Sequence, residues 1–228
     1  MNTPKQHHMS KEELKSNRLV ELAISLRHYV VNNRKLILRI LLGIGILLVL
    51  LVAKLVYDSS RESDANDKLN STLLLLQNTK DRENINLVQT QLAKLVREYA
   101  GTRSAARAAF HLGVIQYNVQ GYDKALQSFR TAAADGAPHI VGAALLGIGD
   151  AYSQLNNPRK ALEEGYGVII RKELPGFVTI ARQKTIMVLI ALGRFQEARS
   201  ELNLLPADQD NNPAIPRLRA LINLYEKK

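Results

Sequence analysis

The chain has 228 residues, and its composition of 46% apolar but only 5% aromatic residues, rich in Ala and Leu, favours helix over sheet. It contains no cysteine, which excludes disulfides, thiolate catalysis and cysteine-ligated zinc or iron–sulfur sites. Half of the formal net charge of +10 lies in residues 1–39, and no later basic run is interleaved with aromatic residues, so we expect no nucleic-acid binding.

The first 35 residues predict a basic tail with a short amphipathic helix. Ser10 to Glu13 forms a capping box, and apolar residues follow at helical spacing. They are Leu19, Leu22, Leu26 and Val30. Such a stripe suits anionic lipid, a protein partner, or simply a surface helix that leads into the next segment.

Residues 36–57, LILRILLGIGILLVLLVAKLVY, predict a single transmembrane helix. The two charged residues, Arg39 and Lys54, lie near its ends, where long side chains reach the headgroups. The run begins too far into the chain, and is too long, for a cleaved signal peptide, so we expect a retained anchor. Basic residues flank it mainly on the N-terminal side, which predicts a cytoplasmic N-terminus and an exported domain over 58–228.

The exported part repeats a pattern every 36 or 37 residues. Gly113 and Gly149 are 36 residues apart, and the alanines of the pattern follow the same spacing. These alanines are Ala125, Ala161 and Ala198, with Tyr122 or Phe195 beside them and Pro138, Pro175 and Pro206 near the expected helix ends. The spacing resembles the tetratricopeptide repeat, a pair of antiparallel helices that stacks into a solenoid.

This resemblance predicts an all-α chain, with a tetratricopeptide-like α-solenoid after the anchor. Within 58–228 we expect a capping hairpin, three repeats and a capping helix. Their ranges are 62–100, 104–138, 140–175, 177–206 and 213–228. Three features depart from the pattern. The leading aromatic residue is absent from all three repeats, Gly165 replaces the aromatic residue expected after Ala161, and Thr185-Ile186 replaces the small residue of the third repeat.

In such a solenoid the first helix of each hairpin faces a concave groove, which predicts a protein-binding surface. The predicted groove residues are Arg107, Phe110, Val114, Tyr117, Asn118, Leu146, Asp150, Gln154, Gln183 and Met187. Phe110 and Val114 could instead pack on the capping hairpin. Tyr117 and Asp150 are therefore the stronger candidates for contact with a partner.

Two segments resemble the YfgM family, the ancillary subunits of the bacterial SecYEG translocon. These are RHYVVNNRKLILRILLGIGILL and LAKLVREYAGTRSAARAAFHLGVIQYNVQGYDKALQSF. The resemblance implies a single-pass protein of the bacterial inner membrane. Its periplasmic domain would contact the translocon, exported chains and a membrane-bound periplasmic chaperone. The alternative is a structural subunit of another envelope assembly, for cell wall, division or outer-membrane biogenesis.

We expect no enzyme and no catalytic, cofactor-binding or metal-binding residues. His111 and His139 are the histidines of the expected exported part. His111 neighbours the core residue Leu112, and it is more typical of a partly buried or exposed surface residue than of a general base. His7 and His8 lack further ligands at metal spacing. The glycines of VGAALLGIGD do not form a dinucleotide pattern and follow no strand, so we interpret them as helix-packing positions and not as a phosphate-binding loop. We also expect no small-molecule substrate.

Overall fold

The computed structural model describes residues 31–77, 82–205 and 214–226, together with Val20, Ile24, Ser25, Arg27 and Tyr29. Every regular element within these residues is helical, which confirms the all-α prediction. The helices are α1 Arg34–Gln77, α2 Arg82–Glu98, α3 Arg103–Asn118, α4 Tyr122–Asp135, α5 Pro138–Gln154, α6 made of Pro158–Lys160, Ala161–Tyr166 and Gly167–Arg171, α7 Val178–Ala191, α8 Phe195–Asn203 and α9 Ala214–Glu226. The predicted helix of the N-terminal tail, with Leu19, Leu22, Leu26 and Val30, lies outside the described residues, as do His7, His8 and Pro206.

The chain divides into two compact units, Met1–Tyr57 and Asp58–Lys228. In the first unit, nearly all side chains of residues 36–57 are exposed, although most of them are apolar. Within the part of the chain that the structure describes, Arg34–Gln77 is the one helix long and apolar enough to cross a membrane, judged by length and composition, with a mean hydropathy of 3.0 over 18 residues. An apolar surface of this size is rare in a protein that meets only water.

The second unit begins with a core formed by the last part of α1, by α2 and by α3. Leu69, Leu92 and Ala108 lie fully buried within it. Glu62 ties α1 to the start of α3, because its carboxylate accepts hydrogen bonds from the backbone N–H groups of Arg103 at 2.7 Å and Ser104 at 3.0 Å. A carboxylate at this position satisfies orphan donors of the helix and complements its dipole.

The first two hairpins repeat one contact between an aromatic ring and a helical glycine. A Cβ added to Gly113 would lie 2.7 Å from the ring of Phe129, and one added to Gly149 would lie 2.3 Å from the ring of Tyr166. Both rings are 2% exposed. Each ring fills the space between the two helices of its hairpin, and a side chain at the glycine position would clash with it. The spacing of 36 residues between the glycines therefore corresponds to a repeated packing unit.

The second hairpin reaches this contact through a π-helical segment, Ala161–Tyr166. Phe129 lies four residues after Ala125, whereas Tyr166 lies five residues after Ala161. The wider turn adds one residue, since a π-helix pairs residues five apart. Gly165, which occupies the expected aromatic position, instead lies so close to α5 that an added Cβ would be 2.5 Å from the backbone of Gly149.

The third hairpin, α7 with α8, packs with α9 around a separate core. Ile186, Ala198 and Ile222 are fully buried there. Thr185 lies 36 residues after Gly149 and so takes the position of the glycine in the repeat. Leu202 lies four residues after Ala198, as Phe129 lies four residues after Ala125, and so takes the position of the aromatic residue. The glycine–ring contact of the first two hairpins is therefore not repeated.

The predicted helix stop at Pro138 also differs slightly, since Pro138 is the first residue of α5.

Candidate functional site

Five of the ten predicted groove residues line one groove of about 280 Å³. Phe110, Val114 and Tyr117 come from α3, and Leu146 and Asp150 come from α5. The remaining lining residues are Phe129, Ala143 and Gly147. The groove therefore has an apolar floor, aromatic walls and one carboxylate.

Helical periodicity places these side chains on adjoining faces. Positions separated by three or four residues share a face of an α-helix, as Phe110, Val114 and Tyr117 do on α3. The two helices pack against each other and against α4. Gly147 brings α5 close to the ring of Phe129, because an added Cβ there would lie 2.7 Å from that ring. A side chain at position 147 would therefore fill the floor of the groove.

The wall of the groove is built from aromatic rings that pack partly against the core. Phe110 and Val114 are half-buried against the cluster that contains Phe129, and the ring centroids of Phe110 and Phe129 are 6.0 Å apart. Tyr117 meets the ring of Tyr122 edge-on at 5.3 Å. The rings are held in place by packing before any ligand arrives, which limits the entropy lost on binding.

Asp150 forms the polar end of the groove and is held by two donors. Its Oδ1 accepts a hydrogen bond from the Tyr166 hydroxyl at 2.5 Å and from Lys184 Nζ at 2.6 Å. Burial, followed by the hydrogen bond to Asp150, raises the pKa of Tyr166, so its hydroxyl stays protonated as a donor. The Asp150 side chain is still 30% exposed and can accept a further hydrogen bond from a ligand.

Tyr166 and Lys184 belong to this polar end but were absent from the predicted residues. Tyr166 reaches its position because the π-helical segment adds one residue, and no local sequence pattern predicts that segment. Lys184 directly follows Gln183, which is one of the predicted groove residues, so the prediction from the repeat pattern differs from the observed residue by one position.

The other five predicted residues lie outside this groove. Arg107 donates to Asn66 Oδ1 at 3.1 Å and so contacts α1, while Asn118 and Gln154 are exposed near the ends of α3 and α5. Gln183 and Met187 line a different groove of about 420 Å³, next to α9.

His111 and His139 do not belong to a cluster of side chains that could hold a metal ion within the described residues. His139 is exposed, and burial together with the charge of Arg107 lowers the pKa of His111. Across residues 31–77, 82–205 and 214–226, no three His, Asp or Glu side chains group closely enough to hold a metal ion. The candidate site is therefore the groove.

No protein-family model, curated protein or solved structure matches the chain significantly.

Proposed function

We propose that the chain is a non-enzymatic adaptor of the bacterial inner membrane that holds segments of partner proteins in the groove between α3 and α5. The observation that carries the proposal is the groove itself, in which the first helices of two successive hairpins present preformed aromatic walls beside one accessible carboxylate. In keeping with the family resemblance described above, the partners we propose are translocon subunits, a periplasmic chaperone and exported chains.

The anchor in this proposal is the segment 36–57. Its exposed apolar side chains and its length match a hydrocarbon core. The excess of basic residues before it supports a cytoplasmic N-terminus, which leaves residues 58–228 in the periplasm.

The repeat domain in this proposal is a tetratricopeptide-like solenoid. The support is that Phe129 on Gly113 and Tyr166 on Gly149 make equivalent contacts in successive hairpins. A solenoid of such hairpins would align the first helices along one continuous surface.

The chemistry of the groove suits a polypeptide segment with an apolar anchoring side chain. Its floor removes such a side chain from water, and Asp150 can accept an N–H of the bound backbone. A groove of about 280 Å³ holds a single large side chain, so we expect weak affinity. Membrane tethering compensates, because it raises the local concentration of partners in the same membrane.

A pull-down from detergent-solubilised membranes tests the adaptor function. We expect Tyr117→Ala and Asp150→Asn to lower partner recovery several-fold, because one removes a groove wall and the other removes the charged acceptor. The matched control is Lys124→Ala, at an exposed position on α4 outside the groove. Unchanged recovery with both groove variants would refute this binding site, provided that circular dichroism shows each variant to be folded. Recovery of neither translocon subunits nor a chaperone would refute the export role.

Protease added to intact spheroplasts tests the topology. We expect digestion of residues 58–228, since this unit would face the periplasm. Full protection of that unit, with digestion once the membrane is permeabilised, would reverse the orientation and remove the proposed role.

A further inference from the structure

The groove between α3 and α5 contains a free hydrogen-bond acceptor. The Tyr166 hydroxyl and Lys184 Nζ both donate to Oδ1 of Asp150. Among the described residues no group donates to Oδ2, although Asp150 lines the groove and its side chain is 30% exposed. Two donors on one oxygen fix the plane of the carboxylate. Oδ2 is therefore a preoriented acceptor at the edge of an apolar space.

The walls of the groove favour a flat aromatic side chain. The rings of Phe110, Tyr117 and Phe129 all line it. Gly147 carries no side chain, so the ring of Phe129 stays open to the groove. Aromatic rings in offset or edge-to-face contact contribute more than their buried area alone. An aromatic ligand side chain therefore gains more here than an aliphatic one of the same size.

An anchoring side chain without a donor would leave Oδ2 without a partner. A phenylalanine ring that enters the groove displaces water from this oxygen and offers no polar hydrogen in return, and such a loss is unfavourable for a carboxylate. An indole N–H or a phenol O–H replaces the displaced water. The groove therefore fits an aromatic side chain with its own donor better than it fits phenylalanine.

The charge of Lys184 disfavours a cationic donor. Its Nζ lies 2.6 Å from Asp150 Oδ1, so the pair has no net charge, and Asp150 is the one charged side chain among the described residues that line the groove. A ligand guanidinium bonded to Oδ2 would lie about 5 Å from Lys184 Nζ, a distance at which like charges disfavour each other. Tryptophan, tyrosine and arginine are the usual anchors of protein interfaces, and Lys184 selects the two neutral ones.

We propose that Asp150 and Lys184 make the groove selective for a tryptophan or tyrosine side chain of the partner, which donates its N–H or O–H to Asp150 Oδ2. Lys184 is then a specificity-determining residue, because it orients the carboxylate and neutralises its charge. This inference rests on the proposed adaptor function and adds the identity of the anchoring residue. A backbone N–H as the donor would instead serve every anchoring side chain equally.

Fluorescence anisotropy of labelled peptides, with the full chain in mild detergent, tests the need for a side-chain donor. The probes are dodecapeptides in a serine–glycine background with one central tryptophan, naphthylalanine or arginine. We expect the tryptophan peptide to bind about ten-fold more tightly than the naphthylalanine peptide, which has a similar ring size but no N–H. In Asp150→Asn the amide oxygen must face Tyr166 and Lys184, which turns the NH₂ group to the ligand, so this difference should vanish.

Lys184→Met tests the choice between neutral and cationic anchors. Methionine keeps an apolar stem and removes the charge, so the arginine peptide should gain about ten-fold in affinity. The tryptophan peptide should change by less than about two-fold. Lys184→Arg keeps the charge and should preserve the wild-type order of affinities. The matched control is Lys124→Met, which removes the same charge from an exposed position on α4 outside the groove and should leave all affinities unchanged.

Each readout compares peptides on one protein variant, so partial unfolding of a variant does not alter it. Equal affinities of the tryptophan and naphthylalanine peptides for the wild-type chain would assign the donor to the backbone and overturn this inference, as would absence of binding by every peptide. An equal gain for the arginine peptide with Lys124→Met would reduce the role of Lys184 to general charge repulsion. The adaptor function survives each of these results if partner recovery in the pull-down depends on Tyr117, so the two failures are distinguishable.

Discussion

Gly149→Ala tests whether the contact of a ring with a glycine holds the second hairpin together. The added methyl carbon would lie 2.3 Å from Tyr166 Cε1, whereas carbon atoms in contact are about 3.5 Å apart or more. The ring must therefore move by about 1.2 Å. It has little room, because Tyr166 is 2% exposed and its hydroxyl is bonded to Asp150.

The magnitude follows from two opposing effects. Alanine in a helix interior is favoured over glycine by about 1 kcal/mol. Overpacking of a filled core costs about 1–3 kcal/mol, and a clash this short with a fixed ring belongs at the upper end. The expected net loss is about 2 kcal/mol, which lowers the thermal midpoint of a unit of this size by about 4–8 °C.

Thermal unfolding of the full chain in detergent, followed by circular dichroism, measures this loss. The control is the same substitution in a Tyr166→Leu background, where the flexible side chain can yield and the helix preference should dominate. We expect Gly149→Ala to be stabilising in that background. A higher midpoint for Gly149→Ala in the wild-type background would refute the proposed packing, because helix preference alone predicts that sign.

Three further predictions concern the second unit. Burial lowers the pKa of His111 below 6.5, so the unfolded chain binds its proton more readily. The stability that neutral His111 contributes is fully present above about pH 6.5 and should be lost as the pH falls from there through the lowered pKa. The urea midpoint, measured at a series of pH values, should depend less on pH in His111→Gln. Ile186 is fully buried, so Ile186→Ala should lose about 2–5 kcal/mol in urea unfolding, against under about 0.5 kcal/mol for the exposed Leu204→Ala. The ion pair between Arg182 and Glu201 is mostly buried, and Arg182→Gln should lose roughly 1–2 kcal/mol in the same assay, a result contradicted by an unchanged midpoint.

The sequence by itself determined the features that depend on neighbours along the chain. The apolar run at 36–57 indicates a helix that could span a membrane, because length and composition suffice for that inference. Helical periodicity gave the all-α class and placed Phe110, Val114 and Tyr117 on one face. The interval between Gly113 and Gly149 gave the spacing of a packing unit, since both glycines meet a ring in the same way.

Only the tertiary structure decided how the second hairpin achieves that contact. Gly165 looked like a departure from the repeat, yet the π-helical turn adds one residue and places Tyr166 in the ring position. The turn packs against another helix, where Gly165 lies close to the backbone of Gly149. Contacts between helices produce no periodic pattern in the sequence, so the sequence does not predict this turn.

Only the tertiary structure, likewise, decided which groove residues meet. Asp150 and Lys184 are 34 residues apart, and the bond between them depends on how α5 and α7 are stacked. Arg107 follows the helical stripe of Phe110 but contacts Asn66 instead of the groove. A stripe fixes the face of one helix, whereas a site between helices depends on their distance and rotation, which result from core packing over the whole unit.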